Sequence, residues 1–98
     1  MDSLDDAVQW ARRTREFRAA FLVRCAGELD LRGVQAEVAA DGDRLGELRV
    51  LPVLEAIPAV GGKVAARRLM DSVGLAEDVS LGALDAATWD ALAEGVAP

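Results

Sequence analysis

The spacing of apolar residues along the first quarter of the chain predicts one long helix. Apolar positions recur there every three or four residues, and we predict a helix over residues 3–25 that Gly27 ends. The most apolar face of such a helix normally packs against the core, so we expect this stripe, Trp10 included, to be buried. Its members are Trp10, Thr14, Phe17, Phe21 and Cys25, flanked by Val8 and Leu22.

Two shorter helices are predicted in the middle of the chain. Residues 31–40 follow Asp30, whose carboxylate suits the N-cap position, and stop before Asp41-Gly42-Asp43, a composition typical of a turn. Residues 48–57 carry branched apolar side chains that also suit a strand. Their spacing, with Pro52 in a first turn, favours a helix.

The last third of the chain predicts two more helices. Residues 63–73 form the first, ended by Gly74, and its inward side chains are predicted to be Val64, Leu69, Met70 and Val73. Residues 84–94 form the second, with Asp85 as its cap. Its predicted buried side chains are Leu84, Trp89 and Leu92.

Length and composition indicate a single compact domain over residues 1–98. Apolar residues make up 52% of the chain and charged residues 29%, which is typical of a folded globular protein. Cys25 is the only cysteine, so no internal disulfide can form, and we expect a buried, inert thiol. The chain has neither a secretory start nor an apolar run long enough to span a membrane, so we expect a cytoplasmic protein.

The net charge of −6 comes from 11 basic and 17 acidic residues, but the charges are unevenly distributed. Residues 12–24 hold five arginines against one glutamate, and residues 63–71 hold three basic residues against one aspartate. If both segments lie on one face, they form a basic stripe on an acidic body, which can bind phosphate. Alternatively, the arginines pair with the acidic middle of the chain.

Candidate catalytic chemistry is sparse. The chain has no histidine or tyrosine, and its paired carboxylates fall at helix starts and turns, where capping accounts for them. Asp41-Gly42-Asp43 also lacks the spacing of a calcium-binding loop. We therefore predict no catalytic residue, no metal, no cofactor and no small-molecule substrate, and a protein that is not an enzyme.

The segment Pro-Ala-Val-Gly-Gly-Lys at residues 58–63 has two interpretations of equal weight. It is either a tight turn that joins two helices, with a solvated lysine, or a hairpin whose glycines let a phosphate approach the backbone. A following helix would add its positive end to such a site. The residues that this second interpretation assigns to the site are Gly61, Gly62, Lys63, Arg67 and Arg68.

Residues 54–75 read Leu-Glu-Ala-Ile-Pro-Ala-Val-Gly-Gly-Lys-Val-Ala-Ala-Arg-Arg-Leu-Met-Asp-Ser-Val-Gly-Leu. This segment resembles the pattern Leu-Glu-x-Leu-Pro-Gly-Val-Gly-Lys-Val-Arg-Ala-Arg-x-Ile-Met-x-x-Leu-Gly-Ile of the integration host factor family of actinobacteria. The long first helix also corresponds, so the resemblance covers most of the chain. It implies an all-α fold of about five helices, in which a long N-terminal helix precedes a helix–two-turns–helix domain, similar to a helix-hairpin-helix, with its core at residues 48–75.

The resemblance also implies non-enzymatic, largely sequence-independent binding of duplex DNA by a nucleoid-associated protein. The DNA contacts it implies are Gly62, Lys63, Val64 and Arg67, together with the arginines of the first helix, Arg12, Arg13, Arg15 and Arg18. The phosphate argument for the hairpin adds Gly61 and Arg68.

The chain departs from the family pattern in two places. Ala59 stands where the family has glycine, in a hairpin that is one residue longer. Residues 77–85 read Glu-Asp-Val-Ser-Leu-Gly-Ala-Leu-Asp where the family has a basic stretch resembling Arg-Arg-Val-Arg-Gly-Leu-Gly. Because each lost phosphate contact weakens binding, we expect a divergent, acidic member with low DNA affinity. The alternative is an acidic interaction module that keeps the fold and binds a protein partner.

Overall fold

The computed structural model describes residues 3–96, which form α-helices and no β-strand. Two single 3-10 turns, Pro58–Val60 and Leu81–Ala83, lie between helices. Among these residues no helix combines the length and the apolar composition required to cross a membrane. The helices are α1 (Ser3–Gly27), α2 (Leu31–Ala40), α3 (Gly42–Leu45), α4 (Val50–Ala56), α5 (Lys63–Val73) and α6 (Ala86–Val96).

The observed helix bounds agree closely with the sequence pattern in α2 and α5, whose predicted ends are confirmed. The Asp30 carboxylate accepts a hydrogen bond from the Gly33 N–H at 2.7 Å, as predicted for a cap. The helix predicted over residues 84–94 instead covers Ala86–Val96, because Asp85 caps it by accepting from the Thr88 N–H at 2.8 Å. The turn predicted at residues 41–43 is wrong, since this segment begins the short helix α3.

The core forms around α4, against which both α1 and α5 pack, while α6 covers the other side of α5. Cys25 is fully buried, as predicted, and this desolvation raises the pKa of its thiol to about 11. The predicted burial of Trp89 and Leu92 is also confirmed. The remaining buried side chains are Phe21, Leu31, Val34, Leu45, Val50, Val53, Leu54, Ile57, Ala66, Leu69, Met70 and Leu81.

The N-terminal part of α1 extends beyond the body of the protein. The molecule measures 53 Å along its longest axis and 25 and 23 Å across. We call residues 3–13 the overhang, and all of them except Ala11 are exposed. The predicted burial of Trp10 is therefore wrong: its side chain is 67% exposed because the body ends before it, although Phe21 on the same stripe is buried.

The segment after α5 turns back along the linker between α3 and α4. Gly74 ends α5 with a left-handed φ of 82°, and the Leu75 N–H donates to the Met70 carbonyl at 3.0 Å, as predicted for a glycine stop. Further along, the Gly82 N–H donates to the Gly46 carbonyl at 2.9 Å. Between these two points, Glu77 lies against the middle of α5, where its Oε1 accepts a hydrogen bond from Arg67 Nη1 at 3.0 Å.

Candidate nucleic-acid interface

The hairpin between α4 and α5 depends on two successive glycines with positive φ. After the 3-10 turn, Gly61 has φ 99° and ψ 21°, and Gly62 has φ 100° and ψ −171°. A side chain is strained in both conformations, so only glycine adopts them at little cost. They reverse the chain and direct it into the first turn of α5.

The N-terminus of α5 is open. Within residues 3–96, no acceptor meets the backbone N–H groups of Gly62, Lys63, Val64 or Ala65. An ideal Cβ built on Gly62 would meet no atom within 4 Å, so the space beside this glycine is open. Unpaired N–H groups at the positive end of a helix form a favourable environment for an anion.

The exposed face of α5 carries Val64, Arg67 and Arg68. Val64 is 64% exposed, so its predicted inward orientation is wrong. Arg67 Nη1 donates to Glu77 Oε1 at 3.0 Å, which partly neutralises it. Arg68 pairs with no acid among residues 3–96 and lines an open groove of about 550 Å³ between the hairpin, α5 and the end of α6. Lys63 is likewise without an acidic partner in that range.

The four arginines predicted on α1 do not form one face. Neighbours in a helix are turned by about 100° from one another, so Arg12 and Arg15 lie about 60° apart while Arg13 points away from both. Arg12, Arg13 and Arg15 are exposed, whereas Arg18 is half-buried and its Nη2 lies 3.6 Å from Glu47 Oε2. Arg12 and Arg15 are therefore the accessible pair.

Two further exposed arginines, Arg44 and Arg49, were not among the residues predicted for the site. Arg44 on α3 lies 4.0 Å above the Phe17 ring and pairs with Asp41 at 2.6 Å, and it shares a cavity of about 190 Å³ with Arg13. Arg49 is exposed before α4 and pairs with no acid among residues 3–96. Both are single arginines in the sequence, and only the fold shows what surrounds them.

The two basic sets are connected through the body rather than through direct contact. α1 and α5 each pack on α4. No hydrogen bond or ion pair among residues 3–96 joins an arginine of α1 to the hairpin. That they act on one ligand stays a prediction.

Neither a protein-family model nor a curated protein sequence matches this chain. Among solved structures, one of sIHF bound to an 8-base-pair palindromic DNA matches with a TM-score of 0.78 and 26% identity. The match covers 91% of this chain and 99% of that one. This chain has an integration host factor-like fold. The all-α architecture with a long N-terminal helix, as predicted, is confirmed.

Proposed function

We propose that this integration host factor-like protein binds duplex DNA through backbone phosphates and has no enzymatic activity. The open N-terminus of α5, behind the two positive-φ glycines, carries the proposal, because its free N–H groups can bind a phosphate. Lys63 and Arg68 add charge that no neighbouring acid neutralises within residues 3–96. The structural similarity to sIHF bound to DNA supports this function.

Phosphate contacts carry little sequence information, so we expect binding that is largely independent of DNA sequence. The α1 arginines would contribute a second phosphate-binding set, led by Arg12 and Arg15. Arg18 and Arg67 would contribute less, because Glu47 and Glu77 lie against them. We place the protein in the cytoplasm, on the nucleoid.

The affinity of the proposed site for DNA is limited by Glu77, an acidic residue that contacts it. Glu77 follows α5 in the segment where the family resemblance predicts arginines, and it binds one of the cations of the site. The net charge of −6 adds long-range repulsion between protein and DNA. We therefore expect binding that is measurable at low salt and lost steeply as salt rises.

Fluorescence anisotropy with two labelled duplexes of different sequence, at several salt concentrations, tests the proposal. The wild type should bind both duplexes with similar affinity. Lys63→Ala combined with Arg68→Ala should lower the salt slope by roughly two units, one for each lost phosphate contact. Arg32→Ala is the control, because Asp90 already pairs with Arg32 at 2.8 Å. Equal effects of the control and the double variant would reject this site.

A variant that increases affinity tests the role of the acidic segment. Glu77→Gln removes one negative charge and releases Arg67, whereas Asp90→Asn removes the same charge from the pair with Arg32. If Arg67 belongs to the DNA surface, Glu77→Gln strengthens binding by several-fold more than Asp90→Asn. Equal gains would mean that only the total charge matters.

The second candidate function is a protein-interaction module, favoured by the negative net charge and by the exposed apolar side chains of the overhang. Absence of DNA binding at low salt and at every accessible concentration would reject the DNA proposal. The protein-binding function would then be the better explanation for the fold.

A further inference from the structure

Residues 46–50 and 79–82 run antiparallel, and we call them the paired segments. Backbone hydrogen bonds of 2.8 and 2.9 Å join them on both sides of a bridge between Arg49 and Ser80. Because these bonds flank the bridge and do not join its two residues to each other, Arg49 and Ser80 form a non-hydrogen-bonded pair. Their Cα atoms then lie about 4.5 Å apart, and the two side chains project side by side from the same face.

Both side chains of this bridge lack a partner. Within residues 3–96, the Arg49 guanidinium forms no ion pair, not even with the nearby Asp78, and neither Arg49 nor Ser80 forms a side-chain hydrogen bond. Arg18 Nε is the one buried side-chain polar atom without a partner in that range, so the Ser80 hydroxyl reaches solvent. A guanidinium and a hydroxyl that lie side by side at the surface can donate to the same phosphate.

The acids on either side of this bridge contact other arginines. Glu47, on the first of the paired segments, has its Oε2 3.6 Å from Arg18 Nη2 on α1. Glu77, two residues before the second segment, accepts a hydrogen bond from Arg67 Nη1 on α5 at 3.0 Å. These contacts leave the charge of Arg49 without a paired acid. They also show that the paired segments adjoin α1 on one side and α5 on the other.

We infer that Arg49 and Ser80 form a third phosphate-binding site, which binds the backbone of duplex DNA between the α1 arginines and the hairpin. The inference rests on the proposed function, because it adds a contact to the same DNA surface. Arg49 and the hairpin lie at opposite ends of α4, which separates them by roughly 12 Å. This separation is close to the width of the DNA major groove, so both sites can contact phosphates of one duplex.

Fluorescence anisotropy with a labelled duplex, measured over a series of salt concentrations, tests the inference. Arg49→Ala should lower the salt slope by roughly one unit and weaken binding several-fold at low salt, because one phosphate contact is lost. Arg49→Lys keeps the charge and should keep the slope. Ser80→Ala should weaken binding less and leave the slope unchanged, because a hydroxyl carries no charge.

Arg32→Ala is the matched control for these variants, because Asp90 already pairs with Arg32 at 2.8 Å. Circular dichroism checks that each variant is folded. An effect of Arg49→Ala no larger than that of Arg32→Ala, or wild-type affinity in Ser80→Ala, would overturn the shared site.

Moving the cation across the bridge tests the position of the site. Arg49→Ala combined with Ser80→Arg should recover most of the lost slope and affinity, because the new guanidinium projects from the same face. Arg49→Ala combined with Ala36→Arg is the control, because it has the same net charge but places the arginine on the exposed side of α2, which packs on α3 and α6. Equal recovery in the two double variants would overturn the inference.

Failure of this inference can be distinguished from failure of the proposed function. A wild type that does not bind duplex DNA at low salt would overturn both. If Lys63→Ala with Arg68→Ala lowers the salt slope while Arg49→Ala does not, the hairpin site stands and only the site at Arg49 and Ser80 is overturned.

Discussion

Replacing Gly62 by alanine should destabilise the protein through backbone strain alone. Its φ of 100° and ψ of −171° lie in a region that is essentially restricted to glycine, and an added Cβ would meet no atom within 4 Å. Holding an L-residue there costs about 1–3 kcal/mol. The backbone has little freedom to relax, because Gly62 leads directly into α5, which packs between α4 and α6.

For a domain of this size the strain corresponds to a fall in Tm of about 5–20 °C, measurable by circular dichroism and urea titration. Gly27→Ala is the control, because Gly27 ends α1 without a positive φ and its Cβ would also meet open space. That variant should equal the wild type or exceed it by up to about 1 kcal/mol. A chemically synthesised protein with D-alanine at position 62 should recover stability, since a D-residue accepts this φ and ψ. Gly62→Ala and Gly27→Ala variants of equal stability would refute the reasoning.

Three further outcomes are expected. Gly82→Ala should lower the free energy of unfolding in urea by about 1–3 kcal/mol, because its Cβ would lie 3.0 Å from the Gly46 carbonyl oxygen; unchanged stability would contradict this packing. Hydrogen bonds from the hydroxyl and backbone of Thr88 lower the pKa of Asp85, so Asp85 stabilises the fold above its unfolded pKa of about 3.9. The stability gap between wild type and Asp85→Ala should be full at neutral pH and close as pH falls below about 4, whereas a constant gap would exclude this linkage. Cys25, with its pKa raised to about 11, should resist iodoacetamide at pH 8 until urea unfolds the protein, as mass spectrometry would show; rapid labelling of the folded chain would contradict its burial.

The sequence was enough to predict those parts of the fold that depend on residues close together along the chain. The Asp30 cap and the Gly74 stop involve residues within one or two turns, so their chemistry is visible in a short window. The Pro58–Lys63 segment likewise predicted the hairpin. Its glycine pair is needed for the backbone reversal, whether or not a phosphate binds there.

The sequence did not show how far along α1 the packed core extends. Periodicity identifies the apolar face of a helix, but tertiary packing decides how much of that face is covered, so Trp10 and Phe21 shared one stripe and differ in burial. The predicted inward orientation of Val64 was wrong for the same reason, because packing and not periodicity decides which apolar positions are covered. The apolar positions at the start of α5 lie beside an open groove, and the core begins only at Ala66.

Ion pairing explains how an anionic protein keeps cationic surfaces. Five of the eleven basic side chains pair with acids, and the six that do not pair within residues 3–96 lie mostly on α1 and α5. At physiological salt, charges separated by more than about 8 Å are largely screened. Under the proposed function, a phosphate at the open end of α5 would therefore interact mainly with Lys63, Arg68 and the helix end. The net charge of −6 would act mostly on the approach of DNA to the protein. Local pairing, rather than net charge, decides where an anion can bind.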